Sequence, residues 1–162
     1  MSLLLSGRIS GEILLTISLG YLLAPPPLIQ ILTNTKAPYN ISLPTASLAQ
    51  QAVSTPGLVQ MANAVSTLNA NRTKLIDGLK SISGIGSILG GNHANFVMAQ
   101  VTKDGKPSNE RAVSVYKNMA EHRGVVVRYR GSEVGCEGCL RITVGTEEEV
   151  AAVLKQLGEL LQ

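Results

Sequence analysis

Residues 140–144, Leu-Arg-Ile-Thr-Val, alternate apolar and polar side chains and run through Gly145 into Thr146-Glu147-Glu148-Glu149. Period two puts Leu140, Ile142 and Val144 on one face and Arg141 and Thr143 on the other. That is a strand with one buried face, followed at once by a helix start. Thr146 with Glu149 three residues on is a capping box. A strand of this kind must lie in a sheet whose apolar side is covered by helices. A cation in mid-strand is costly unless it meets an anion. The planar guanidinium fork suits a carboxylate or phosphate held by two parallel hydrogen bonds. The segment therefore reads as an anion-recognition element on a rigid strand.

The preceding chain supplies the rest of that layer. Leu58, Met61, Val65, Leu68, Leu75, Leu79 and Ile82 recur at helical spacing and predict one long helix with a single apolar stripe, ended by Gly84-Ile85-Gly86. Asn95 to Val101 reads as a strand closed by a turn over Lys103-Asp104-Gly105-Lys106-Pro107. Ser108 or Asn109 can cap the next helix, whose buried face is Ala112, Val115, Tyr116 and Met119. Val125 to Arg130 and Leu140 to Gly145 are two further strands. The last helix buries Val150, Val153, Leu154, Leu157 and Leu161. From about residue 55 the order is helix, strand, helix, strand, strand, helix. The fold class is α+β, helices on a small, mainly antiparallel sheet. Upstream, Pro25-Pro26-Pro27 forces an extended or helix-starting geometry. Leu28 to Thr33 reads as one or two helical turns, Ala37 to Asn40 as a turn, and Pro44 to Val53 as a short helix.

Composition limits the function classes. The chain has 162 residues, 44% hydrophobic and 15% charged, which favours a packed body over disorder. Net charge is +3, with no Lys/Arg run and no basic helix, so nucleic acid is not an expected partner. Arg8 and Glu12 interrupt the apolar N-terminal stretch, so no run reaches the roughly 20 residues that span a bilayer. No membrane partner is expected, and the expected location is the cytoplasm. Both cysteines fall in Cys136-Glu137-Gly138-Cys139. Such a pair serves as a redox motif, as half of a zinc site, or as a loop of reduced thiols. Redox use wants it opening a helix, and here it precedes a strand. Zinc needs two more ligands, and His93 and His122 lack matching spacing. The loop of reduced thiols is the adopted reading, and no metal is expected.

Arg128 and Arg130 share a face of their strand, and nine residues, Gly131 to Cys139, join that strand to Leu140. If the two strands pair antiparallel, Arg128 and Arg141 can share a face on neighbouring strands. Like charges set opposite one another are destabilising, which makes sense beside an anion. The plainer alternative pairs one or both arginines with Glu133, Glu137 or solvent.

The same words carry a resemblance. Cys139-Leu140-Arg141-Ile142-Thr143-Val144-Gly145-Thr146 resembles the C-terminal signature of histidinol-phosphate aminotransferases. Further matching words are Lys36-Ala37-Pro38-Tyr39-Asn40-Ile41-Ser42, Gly90-Gly91-Asn92, Asn95-Phe96 and Val125 to Gly131. These are pyridoxal-phosphate enzymes of the aspartate-aminotransferase fold, and the resemblance covers roughly Leu19 to Gln162. It implies the C-terminal small domain of a fold-type I transferase over 55–162. An interdomain Pro-rich segment would occupy 25–54, and 1–24 would be an atypical remnant of a cofactor domain otherwise missing. It implies an enzyme of histidine biosynthesis. Such an enzyme moves an amino group between histidinol phosphate or imidazole acetol phosphate and glutamate or 2-oxoglutarate. Carried over, Arg141 engages the substrate anions and Arg128 faces the cleft. The partners implied are a phosphate ester, a dicarboxylate and a second subunit of a homodimer.

One departure is large. The family's Schiff-base lysine lies in a Ser-Lys-Ser-Phe-Gly-Leu-Ala-Gly-Ile-Arg-Leu-Gly word, of which this chain keeps only the end. Counting back from Gly20, the lysine position holds Ser10 and the phosphate-binding arginine position holds Ser18. A serine cannot form an imine. The resemblance thus implies a truncated form with no catalytic lysine and no cofactor-binding residue of its own. The alternative is a non-catalytic small domain that binds anions or pairs with a full-length subunit.

Overall fold

The computed structural model describes residues 22–90 and 93–162. Ser10, Ser18, and the Gly91-Asn92 part of one matched word lie outside the described residues. The chain divides into two compact units, Met1–Ala64 and Val65–Gln162.

In the first unit, α1 (Pro26–Thr35) starts where the proline run allows it. Pro26 stands in the first helical turn, where its missing N–H has no partner to lose. The helix runs ten residues, longer than the one or two turns expected from Leu28 to Thr33. A turn at Pro38-Tyr39 follows, with Tyr39 at φ 54. Ser42 then caps α2 (Leu43–Ala52), its hydroxyl accepting from the Thr45 N–H. The long helix α3 (Thr55–Lys80) begins here and ends in the second unit. Its expected single stripe divides. Leu75 and Leu79 are fully buried, while Leu58, Met61 and Val65 stay 44–49% exposed. Only the last turns of the helix reach the sheet core.

The second unit carries a sheet in the order β1 (Ile85–Leu89), β2 (Phe96–Lys103), β5 (Cys139–Thr143), β4 (Arg128–Tyr129), with β3 (Lys106–Pro107) paired to β2. Every pairing is antiparallel. Val97, Ala99 and Val101 on β2 and Leu140 and Ile142 on β5 point to one side and are essentially fully buried. Ala112, Val115 and Met119 of α4 (Asn109–His122) cover them, with Val150, Val153 and Leu157 of α5 (Glu147–Leu160) and Leu161 just after it. Each Val, Leu, Ile or Met among them contributes about 1.5–3 kcal/mol by leaving water. Tyr116 and Leu154, both expected in the core, pack at its margin.

The predicted caps form. Ser108 accepts from the Arg111 N–H to start α4. At α5 the Thr146 hydroxyl accepts from the Glu149 N–H, and the Glu149 carboxylate accepts from the Thr146 N–H. Asp104 (φ 53) and Gly105 (φ 75) make the two-residue turn between β2 and β3, the positive-φ pair that a type I′ hairpin requires.

Two expectations are corrected. Ile85–Leu89 is an edge strand, whereas its glycines read only as a helix stop. Gly86 is needed there because a Cβ would come within 2.7 Å of the Thr102 methyl on the facing strand. Val125 to Arg130 shrinks to the pair Arg128–Tyr129. The Val125 N–H instead bonds the Met119 carbonyl at the end of α4, so the chain leaves the helix before it can pair.

Arg111 ties this unit together. Its guanidinium donates to the Thr102 carbonyl at 2.7 Å and the Leu161 carbonyl at 2.9 Å. One side chain thereby joins β2 to the end of α5. Among the described residues no helix is long and apolar enough to cross a membrane.

Candidate functional site

Alternation leaves the second face of the sheet to a different set of side chains. Phe96, Met98 and Gln100 on β2 and Arg141 and Thr143 on β5 point away from the helices, opposite the buried Val97, Ala99, Leu140 and Ile142. The register fixes their neighbours. Arg141 stands directly opposite Met98 on one side and directly opposite Arg128 on the other. Directly opposed residues on antiparallel strands share a face, about 4.5–5.5 Å apart at Cβ. The two arginines are therefore cross-strand neighbours.

Arg141 is half-buried, and its guanidinium lies over the ring of Phe96, 5.3 Å from the centroid. Phe96 is the one phenylalanine of the chain. The ring's negative face attracts the cation and restricts its tilt. The Nε of Arg141 is buried with no hydrogen-bond partner among the described residues. Arg128 is exposed.

Neither arginine has an ion-pair partner among the described residues. The acidic side chain weighed as a neutraliser, Glu133, pairs instead with Arg130 at 2.7 Å. Glu137 uses its backbone, the carbonyl accepting from Gln100 Nε2 at 2.9 Å. The remaining ion pairs, Lys74 with Glu147, Arg123 with Glu159 and the long His122–Glu121 contact, lie elsewhere. The arginine face is thus a positive patch on a rigid strand pair, with aromatic and thioether surface beside it. It can grip an anion and offer an apolar floor to what the anion is attached to.

It cannot by itself anchor pyridoxal phosphate. Among the described residues, the alternating positions of this face that flank Arg141 hold Phe96, Met98, Gln100, Arg128, Cys139 and Thr143, with no lysine to form an imine. Lys36, in one of the matched words, belongs to the first unit, and Lys74 is paired with Glu147. A separate open groove lined by Lys103, Asp104, Glu110, Arg111 and Ser114 lies towards the far end of β2. Its charges are mixed in sign, and its arginine is already committed to two carbonyls, so it makes a poor anion site.

Sequence reasoning missed Phe96 as the support of Arg141. Its only signal was a single aromatic at the start of an apolar strand.

Comparison with known proteins adds a second line of observation. Residues 16–157 match the family described as aminotransferase class I and II. The chain is 44% identical over 149 residues to histidinol-phosphate aminotransferase of Schizosaccharomyces pombe, an alignment that takes in 90% of this chain and 39% of that protein. It spans about two fifths or less of the length of the curated relatives it matches, 32% and 37% for two further yeast enzymes of the same name. Among solved structures, a decarboxylase from Sulfurospirillum multivorans superposes with a TM-score of 0.78 at 24% identity, over 92% of this chain and 36% of that one. A histidinol-phosphate aminotransferase from Sinorhizobium meliloti, solved with pyridoxal-5′-phosphate, gives 0.68 at 20% identity, over 88% and 36%. At such identities the structural likeness speaks for the fold.

Proposed function

Since the chain belongs to the class I and II aminotransferases, a family of pyridoxal-phosphate enzymes, we propose that it is the substrate-recognising part of a histidinol-phosphate aminotransferase. Residues 55–162 would form the small domain, 25–54 the interdomain segment, and 1–24 would belong to the cofactor domain. The reaction would move an amino group between histidinol phosphate and 2-oxoglutarate, in histidine biosynthesis and in the cytoplasm.

The observation that carries this reading is the unneutralised pair Arg128 and Arg141, directly opposed on β4 and β5. A ping-pong transamination must seat two different substrates in one place. One carries a phosphate ester, the other a side-chain carboxylate. The guanidinium fork of Arg141 suits both, since each presents two oxygens to parallel N–H donors. Phe96 keeps the fork in plane while Arg128 adds long-range attraction. The imidazole of the phosphate ester would find the apolar surface of Met98 and Phe96 alongside. A homodimer is the expected assembly.

Ser10 at the lysine position favours a second reading for the chain acting alone. It would then bind the same anions without transaminating them, or pair with a subunit that supplies the lysine.

Titration of the purified chain with histidinol phosphate, and separately with 2-oxoglutarate, tests the shared site. Each should displace the other, and Arg141→Ala should weaken both by about tenfold or more, the loss of one charge-assisted contact. Arg141→Lys should fall between, keeping charge without the fork. Equal binding by wild type and Arg141→Ala would end the proposal. Adding pyridoxal phosphate, then borohydride, separates the two readings. A single reduced lysine adduct supports the catalytic one, and scattered low labelling supports the binding one.

A further inference from the structure

The Cys136-Glu137-Gly138-Cys139 motif plays no part in anion recognition, yet its backbone is held more firmly than a surface loop needs. The Cys139 N–H donates to the Cys136 carbonyl at 2.9 Å, closing a four-residue turn. Gly138 has φ +72 at its third position, which a type II turn requires. A Cβ there would come within 2.6 Å of the Val101 carbonyl, so glycine is needed for space as well. Four outside bonds brace the turn. The Gly138 N–H donates to Asn109 Oδ1 at 2.7 Å, and its carbonyl accepts from the Val101 N–H at 2.8 Å. The Glu137 carbonyl accepts from Gln100, and the Cys136 N–H donates to the Glu133 carbonyl.

The ends of a closed β-turn lie within about 7 Å at Cα, and a disulfide spans about 4.4–6.8 Å. The Cys139 thiol donates to the Glu137 carbonyl at 3.7 Å, within the same turn. Both are free, Cys136 half-exposed and Cys139 fully buried. The structure has thus brought the two cysteines to the two ends of one braced turn at the entrance of β5.

We propose that Cys136 and Cys139 form a reversible dithiol–disulfide site that exchanges with small-molecule disulfides of the glutathione type. Cys136 is the entering nucleophile because it alone meets solvent. Its thiolate attacks one sulfur of the small disulfide, breaks that S–S bond and expels one small thiolate, which takes up a proton. Cys139 then gives up its proton and attacks the Cys136 sulfur of the mixed disulfide, expelling the second small thiolate. The protein loses two thiol hydrogens and gains one S–S bond, and the small disulfide is reduced to two thiols. The order agrees with the environment of Cys139. Burial, and then the neighbouring Cys136, push its thiol up to about 11, which makes it a poor first attacker.

Trypsin cleaves after Arg130 and Arg141, so both cysteines fall in the single peptide Gly131–Arg141. The full chain is equilibrated with graded ratios of reduced and oxidised glutathione, quenched with acid, alkylated, digested and weighed. The expected product is an unalkylated peptide about 2 Da lighter than the dithiol form, rising with oxidised glutathione and reversed by excess dithiothreitol. A doubly alkylated peptide at every ratio would overturn the proposal, and so would a stable glutathione adduct that never closes. Cys139→Ser should trap glutathione on Cys136, whereas Cys136→Ser should remain free. Rapid adduct formation on Cys139 in Cys136→Ser would refute the order of attack. In urea the half-oxidation ratio should move towards more oxidant, because the braced turn no longer holds the sulfurs together. An unchanged ratio would show that the fold has no part in the chemistry.

Discussion

Asn71 of α3 reaches across 74 positions of sequence to donate its side-chain N–H to the carbonyl of Gly145, at 2.9 Å. It is the one buried polar residue among those described, 5% exposed. Gly145 is the link between β5 and α5. The bond therefore fixes the end of the strand that carries Arg141.

Replacing Asn71 by Leu should leave that half-buried carbonyl without its partner and cost about 1–3 kcal/mol. Urea unfolding should show a lower midpoint with an unchanged slope. Asn71→Asp should be worse, since a carboxylate would face the carbonyl acceptor. A midpoint within error of wild type for both would mean the carbonyl has found water.

Phe96→Leu removes the ring beneath Arg141 and keeps an apolar side chain in its place. The cation–ring contact is of order 0.5–1 kcal/mol, so phosphate affinity should fall about two- to fivefold. The arginine's charge is untouched, so the salt dependence of binding should keep its slope. Chemical-shift titration with inorganic phosphate measures both quantities. A changed slope at constant affinity would contradict the positioning role.

Arg111→Met deletes the clamp between β2 and the end of α5. Two charge-assisted bonds to carbonyls are lost, worth about 3–6 kcal/mol together. Hydrogen exchange should accelerate most in the last turn of α5. Arg111→Lys, with a single ammonium, should recover only part. Uniform acceleration across the unit would show that the clamp is not local.

Glu148 gives a pH signature. Its own backbone N–H and then the Thr146 side chain hold its carboxyl below the ordinary value. The charged form is favoured in the folded state, so this contribution is present above the unfolded value near 4.5 and is lost as pH falls through the folded one. Glu148→Gln should flatten the acid limb of the stability curve below about pH 5, lowering stability at neutral pH and converging on wild type in acid. Chemical denaturation at several pH values checks this, and parallel curves for the two proteins would sink it.

Much of this architecture was legible in the residues. Period two on Leu140, Ile142 and Val144, the helical stripes of α4 and α5, and the Thr146–Glu149 box all survive in the structure, because each is a local pattern. The opposition of Arg128 and Arg141 was legible too, since short strands joined by a brief connection tend to pair. What escaped depended on distant register. Phe96 meets Arg141 only because β2 pairs with β5 so that Phe96 faces Thr143. The Asn71–Gly145 and Arg111–Leu161 bonds likewise join elements that no local pattern relates. β1 escaped for another reason. Its glycine is there to admit the Thr102 side chain, and in sequence a glycine made for close approach looks like one made for a stop.

Two arginines set directly opposite each other across a strand pair repel each other whenever no anion lies nearby. The sheet edge is thus most at ease in the presence of a polyvalent anion, whatever its source. Phosphate or sulfate in a buffer is then a reagent. A melting curve recorded in phosphate and one recorded in a chloride buffer of equal ionic strength describe two different thermodynamic states of this protein.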